Sequence, residues 1–290
     1  MRRGYAIQPM DRPAVTVVVP TCGRAAYLEV TLDSLRNQRA RTPHELLVID
    51  DGAADSTPAV AERFGARLIR HGERRNLNVA RNTGVREARA DLVALLDDDV
   101  FVPPGWLDAL AEGARRYPDA EAFGGPIRPR FEGNAPRGCG REDPPITALD
   151  LGAEDVEAEM VWGANFAVRR SAVERIGPFD ETRGRLHGDE EDWLLRLRAE
   201  GGRIVYLADA GLDHRRSAGD SRLGPLARAA YHRGRGARSS DRRRGQAPGL
   251  ARELRVLAGC GWHTVRHACP QGLVAGAHSA GRLAEAVRPR

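Results

Sequence analysis

The chain contains no lysine; all 45 of its basic side chains are arginine, a bias that reads as genomic base composition and carries no mechanism. Cysteine is scarce too. Cys22, Cys139, Cys260 and Cys269 are scattered without CxxC or zinc-ligand spacing, so neither a disulfide framework nor a structural zinc site is expected. No run comes near the roughly 20 apolar residues of a membrane-spanning helix. The opening Met1 to Tyr5 reaches Pro9, Asp11 and Pro13 without the apolar stretch of a secretion signal, and a cytoplasmic location is the expectation. No GxGxxG follows the first predicted strand, which argues against a nicotinamide-dependent oxidoreductase. Pro20, Thr21, Cys22, Gly23 and Arg24 stand there instead, and supply little of the Gly-rich basic loop a nucleotidyltransferase needs. The basic C-terminal residues lack interleaved aromatics on which bases could stack, so nucleic acid is not the expected partner.

What is present fits one large domain with an appendage: 290 residues, 41% of them hydrophobic, can bury a sizeable core. Charge divides the chain. Residues 215–290 hold 16 arginines against Asp220, Asp241, Glu253 and Glu285, a net +12, which leaves −7 on residues 1–214. A basic segment on an acidic body points to an anionic surface such as the inner face of a membrane, where the protein would associate peripherally. We divide the chain into an N-terminal extension (1–13), a catalytic domain (14–216, with halves 14–100 and 101–216) and a basic helical C-terminal region (217–290).

Val15, Val17, Val18 and Val19 form a β-branched run ended by Pro20, the pattern of a buried parallel strand. Leu28, Leu32 and Leu35 then recur at helical spacing and predict a helix over 24–38. Strands over 46–49, 67–70 and 92–96 alternate with helices opening at Ser56 or Thr57 and over 79–88, the signature of a doubly wound α/β sheet. Ligands of such sheets bind beyond the carboxyl ends of the strands, where Thr21, Asp50 and the Asp97, Asp98, Asp99 turn fall. The second half is less regular. It reads as a helix over 106–117, a strand over 120–128, a long loop over 129–145 near the site and a strand over 160–168. A helix near Ser171, a turn at Gly177 and Pro178, a helix over 189–200 and a strand over 204–207 follow. Beyond Arg215 the composition turns rich in Arg, Gly and Ser until an amphipathic stretch carries Leu250, Leu254 and Leu257.

Three consecutive aspartates after an apolar strand repel one another, and each must be solvated or neutralised. A divalent cation such as Mg²⁺ or Mn²⁺ removes the conflict, since hard carboxylate oxygens suit it and phosphate oxygens commonly complete its shell. A solvated acidic turn would look the same in sequence. Asp50 and Asp51 end a neighbouring strand, so five carboxylates converge on one rim, although an Asp-Gly pair also simply makes a turn. Arg81 sits inside a helical stretch, and by its own pattern reads as a solvated helix arginine.

Five segments, VTVVVPTCGRAAYLEVTLDSL, ELLVIDDGAADST, NVARNTGVREARADLVALLDDD, VWGANFAVRRSAVERIGPFDE and GDEEDWLLRLRAEG, occur in an order and spacing that resemble glycosyltransferase family 2, over residues 14–214. The resemblance implies a GT-A fold: a Rossmann-like, doubly wound, mostly parallel sheet with an irregular acceptor-side half, followed here by the helical basic tail. It further implies that Pro20, Thr21 and Arg24 line the nucleotide site, that Asp50, with Asp51 beside it, meets the donor's base, and that Arg81 sits near base or diphosphate, against its solvated reading. Asp97 and Asp99 become the ends of a DxD motif around Asp98, with Asp99 the direct metal ligand. Gly163, Ala164 and Asn165 flank donor sugar and acceptor, and His214 lies near metal and diphosphate.

The chain departs from the family pattern twice. Asn76 replaces the usual Gly before the A-R-N element, where Asn can also hold a left-handed backbone. Asp189, Glu190, Glu191 and Asp192 stand in the frame of E-D-x-D, which leaves Glu190 and Asp192 as candidates for the general base; a helix dipole alone would also favour acids there. The implied reaction is inverting transfer of a sugar from a nucleoside-diphosphate sugar to an acceptor hydroxyl, glycan or lipid-linked, with divalent-cation assistance. The alternative is a catalytically idle relative that binds nucleotide or serves as a scaffold.

Overall fold

The computed structural model describes residues 12–52, 54–133, 147–182 and 189–288. Its first third alternates strand and helix: β1 (Val15–Thr21), α1 (Ala25–Arg36), β2 (His44–Asp50), α2 (Thr57–Arg63), β3 (Arg67–Arg70), α3 (Leu77–Glu87) and β4 (Leu92–Leu96). β5 (Val100–Phe101), α4 (Trp106–Arg116), β6 (Ala120–Gly124), β7 (Ile127–Phe131), β8 (Val156–Glu157), β9 (Asn165–Arg169), α5 (Arg170–Ile176), α6 (Asp189–Ala199), β10 (Arg203–Tyr206) and β11 (Leu212–Arg216) complete the body. Three long helices follow, α7 (Leu223–Arg243), α8 (Leu250–His267) and α9 (Pro270–Ala286).

The main sheet has eight strands in the order β3-β2-β1-β4-β9-β6-β10-β8, and a second sheet has the order β5-β11-β7. β1 pairs in parallel with both β2 and β4, so the strand order reverses beside it and opens a crevice at its carboxyl end. The valine run explains why β1 is central. Val17 and Val19 enter the core on one face with Leu28 and Leu32 of α1, while Val18 enters the core on the other face. There α3 comes so close that a Cβ on Gly84 would lie 2.3 Å from Val18 Cγ1. Both faces are thus covered, as a near-continuous apolar strand requires.

The described residues correct several expectations from sequence. The predicted strand over 120–128 is two strands in two different sheets, because the chain leaves β6 through Gly125 and Pro126 and pairs with β11 as β7. The predicted strand over 160–168 begins only at Asn165, and it runs antiparallel between β4 and β6. Residues 129–131 of the expected loop belong to β7; residues 134–145 of it lie outside the described residues, as do 1–11 of the N-terminal extension. Asn76 is extended, with φ 176°, and its side chain accepts the Val79 N–H at 3.0 Å, so it caps α3 instead of adopting a left-handed turn.

The Arg-, Gly- and Ser-rich stretch forms α7, a helix of 21 residues. Its glycines serve contact: a Cβ on Gly234 would stand 1.9 Å from the His278 carbonyl oxygen, and one on Gly281 2.0 Å from that of Tyr231, so α7 and α9 pack backbone against backbone. Much of the charge of this region is consumed internally. Arg235 pairs with Glu285, Arg238 with Glu253, and Arg282 with both Asp241 and Glu253. The helices are also tied to the body, through Tyr27 with Asp220 and through Glu191, which accepts from Ser240 at 2.6 Å and faces Arg244 at 3.3 Å.

Candidate active site

At the carboxyl end of β1 lies a cleft of about 910 Å³, lined by Pro20, Thr21, Arg24, Asp51, Arg74, Asn76, Asp97, Asp98, Asp99, Thr147, His214, Arg216 and Arg233. The three aspartates there do not share one task. Asp98 accepts the Thr21 hydroxyl at 2.7 Å and faces Arg24 at 3.1 Å. Asp97 and Asp99 turn toward His214, whose Nε2 lies 4.0 Å from Asp97 Oδ2 and 3.3 Å from Asp99 Oδ1. His214 arrives because β11 pairs antiparallel with β5, the short strand that continues the aspartate turn.

Asp97, Asp99 and His214 offer ligand atoms that all fall within 4.8 Å of one another. Asp99 Oδ1 is buried and accepts no hydrogen bond, and His214 Nδ1 is likewise unpartnered. Two carboxylate oxygens and an imidazole nitrogen, one oxygen orphaned, fit Mn²⁺ or Mg²⁺. Electrostatics point the same way. Burial pushes the Asp98 carboxyl up to about 7, beyond what Arg24 and Thr21 restore. Asp97 keeps a third of its side chain open to the cleft, yet desolvation and the charge of Asp99 still raise it. Burial also raises Asp99, but His214 and Arg24 outweigh it and hold that carboxyl below its ordinary value. Burial lowers His214, against the pull of Asp99 and Asp97, and a neutral imidazole is the form a metal takes.

Arg81, expected by its own pattern to be a solvated helix arginine, is a correction: its side chain is 3% exposed, 3.9 Å from Asp97 and 3.6 Å from Glu190. Helix α3 packs on the sheet along the face that carries it, so a guanidinium is held between two acidic elements. Glu190 Oε1 also accepts the Gly163 N–H at 3.1 Å. A Cβ on Gly163 would stand 2.4 Å from Arg81 Nη2 and 3.0 Å from Glu190 Oε2, so a larger residue there would displace the ends of both side chains.

The acids opening α6 separate by partner. Glu190 faces Arg81 and Gly163, Glu191 turns to the C-terminal helices, and Asp192 pairs with Arg196 at 3.3 Å one turn along the helix. Asp51 is on the cleft wall, fixed by His71 at 2.9 Å and by the Arg75 N–H at 3.0 Å. Asp50 is fully enclosed behind it and receives Arg70 Nε at 2.9 Å. Asn165 spends its side chain on Trp106, Pro126 and Ala210, bracing the joint where β6, β9 and β11 approach.

Sequence reasoning missed Arg216 and Arg233. They line the cleft beside His214 with no close ion pair among the described residues, although the charge of Asp99 acts on both, and Arg216 Nε is buried without a hydrogen bond. Burial and the neighbouring charge of Arg216 pull Arg233 down to about 10. His71 was missed as well. Only its place at the end of β3, opposite Asp50 and Asp51, could have flagged it.

Residues 16–177 match the family model described as glycosyl transferase family 2. The pre-mycofactocin glycosyltransferase of Mycobacterium tuberculosis is 32% identical over 232 residues, covering 76% of this chain and 46% of that protein, so the chain spans about half the length of this relative. The glucosyl-dolichyl phosphate glucuronosyltransferase of Haloferax volcanii is 26% identical over 216 residues, 69% of each chain. Among solved structures, the mannosyltransferase PcManGT from Pyrobaculum calidifontis, in complex with GDP-Man and Mn²⁺, superimposes with a TM-score of 0.59 at 20% identity. That overlay covers 98% of this chain and 80% of the other, and shows the shared GT-A fold. By the matched family model and the identity to its relatives, the chain belongs to glycosyltransferase family 2.

Proposed function

We propose that the chain transfers a sugar from a nucleoside-diphosphate sugar to an acceptor hydroxyl, with inversion at the anomeric carbon and with Mn²⁺ or Mg²⁺ held by Asp97, Asp99 and His214. One observation carries this reading: the Asp97, Asp99, His214 group and the Glu190, Arg81, Gly163 group meet through the Arg81 guanidinium, 3.9 Å from Asp97 and 3.6 Å from Glu190. The cation, when bound, stabilises negative charge on the diphosphate. Thr21, Asp51 and the 74–76 turn hold the nucleoside, and Asp50 acts from behind by fixing Arg70. Arg216 and Arg233 bring two positive charges to the departing diphosphate.

Glu190 is the general base. Its carboxylate, steered by the Gly163 N–H and Arg81, takes the acceptor hydroxyl proton as that oxygen bonds to the anomeric carbon. The bond from that carbon to the diphosphate breaks on the opposite face, and the nucleoside diphosphate leaves with the electron pair. The PcManGT complex with GDP-Man and Mn²⁺ supports a donor and metal of this kind.

A panel of nucleotide sugars with Mn²⁺ or Mg²⁺, read by nucleoside diphosphate release, tests the proposal. Release should vanish in chelator and return with either metal, and Asp99→Asn should behave like chelation. Nucleotide binding with no turnover of any donor would instead establish the idle, scaffold-type reading.

A further inference from the structure

We propose that the outer face of α8 is a docking surface for an anionic lipid bilayer, with Leu254, Trp262 and Val265 entering the headgroup boundary and Arg252, Arg255 and Arg266 meeting lipid phosphates. Of the eleven exposed large apolar side chains among the described residues, five (Leu250, Leu254, Val256, Trp262 and Val265) lie on this one helix. Exposure reaches 57% at Leu254, 68% at Trp262 and 82% at Val265.

At 3.6 residues per turn, Leu250, Leu254, Trp262 and Val265 fall within roughly 120° of the helix circumference. The small exposed residues Ala251, Ala258 and Gly261 fill the same stripe. Arg255, Arg266 and Arg252 occupy roughly the next 60°, all exposed and without an ion pair among the described residues. Val256 lies outside this stripe, roughly 120° past Trp262, and is exposed as well; the face between it and Leu250 is spent inside. Glu253, the only acid of α8, is buried and neutralised by Arg238 and Arg282, and Cys260 and Thr264 meet Gly272 of α9. What remains outside is an apolar stripe bordered by cations with no exposed acid.

That combination fits an interfacial helix lying in the plane of a membrane. The cationic border selects anionic lipid by charge, and a Trp at the stripe's edge suits the boundary between headgroup and hydrocarbon. A second copy of the chain is the weaker occupant. The helix is about 27 Å long, and a stripe about 10 Å wide offers about 300 Å², short of the roughly 800 Å² per partner of a stable dimer. The net charge of the region does not carry the argument, because the arginines of α7 and α9 that pair with Asp241, Glu253 and Glu285 are already neutralised.

The test is co-sedimentation of the full chain with vesicles of phosphatidylcholine alone and of phosphatidylcholine mixed with phosphatidylglycerol. Binding is expected only to the anionic vesicles, weakening as salt rises. Replacing Arg252, Arg255 and Arg266 together by Gln should lower partitioning on the order of 100-fold, and Leu254→Asp with Val265→Asp should abolish it. Both variants should keep the wild-type circular dichroism and melting profile, since these side chains are exposed. Trp262→Phe should remove a vesicle-induced blue shift of emission. No binding of the wild type to anionic vesicles at low salt overturns the proposal. So does binding that the variants leave unchanged, or sedimentation-velocity dimerisation abolished by Leu254→Asp with Val265→Asp, which would assign the face to a second copy.

Discussion

Replacing Gly163 with alanine probes how tightly the proposed base is held. The added Cβ would stand 2.4 Å from Arg81 Nη2 and 3.0 Å from Glu190 Oε2. Ordinary contact begins near 3.5 Å, so the guanidinium must retreat by about 1 Å. It has little room, because the Arg81 side chain is 3% exposed and faces Asp97 and Glu190 from within α3. The Gly163 N–H also holds Glu190 Oε1 at 3.1 Å, so backbone relief at residue 163 displaces the carboxylate instead. A misplacement of about 1 Å at a reacting group costs on the order of 10²-fold in rate. Overpacking of this kind costs about 1–3 kcal/mol, or roughly 2–10 °C in melting temperature for a chain of this size. We expect Gly163→Ala to lower kcat by about 10²-fold with nucleoside diphosphate affinity nearly unchanged. Gly72→Ala, where an added Cβ meets nothing within 4 Å, serves as the neutral control. The assays are nucleoside diphosphate release at saturating donor, calorimetric titration with the diphosphate, and thermal melting. A folded Gly163→Ala enzyme with full turnover would refute the placement of Glu190 and Arg81 at the reacting centre.

Glu190→Gln should cut kcat by about 10²- to 10⁴-fold and leave donor affinity intact, while Asp192→Asn, which weakens its pair with Arg196, should change stability more than turnover; the reverse pattern moves the base to Asp192. Arg233→Met should weaken nucleoside diphosphate binding by about 10-fold or more, and that of the monophosphate less, measured by calorimetry with metal present. In chelator Asp98 should contribute a loss of stability as pH rises from about 4 to about 7, because the unfolded chain ionises it in its ordinary range while the folded chain releases that proton only near 7; the lowered His214 contributes with the opposite sign, so the readout is the comparison with Asp98→Asn. Asp98→Asn should flatten that fall, so a melting-temperature difference from wild type that stays constant with pH would contradict the assignment.

The parts of the fold legible in sequence were those set by local apolar pattern. β3 and β4 match their expected bounds, and β1, α1, β2 and α3 lie within a few residues of theirs, because both faces of that sheet are packed by periodic side chains. Beyond Phe101 the pattern failed where long-range pairing decides. Nothing local in the segment through Gly125 and Pro126 says that its two ends join different sheets. The tail was legible as helical, but its packing was not: nothing local says that Gly234 and Gly281 are there to let two helix backbones touch. At the site, the aspartates were visible because adjacent carboxylates are costly without a partner. Arg216 and Arg233 were not, since an arginine's burial depends on elements distant in sequence. Arg81 shows the same limit, as only the family resemblance moved it off the solvent face.

The backbone contact between α7 and α9 couples the C-terminal helices to the cleft wall. Arg233 precedes Gly234, the residue on which α9 presses, so the depth to which that guanidinium reaches into the cleft is set from the far side of the hairpin. A bulkier residue at Gly281, which is not among the cleft-lining residues, would lever α7 outward and withdraw the Arg233 charge from the cleft. A chain cut after residue 216 would keep the strands of both sheets and Asp97, Asp98 and Asp99, yet would be missing Arg233 from the wall of the cleft.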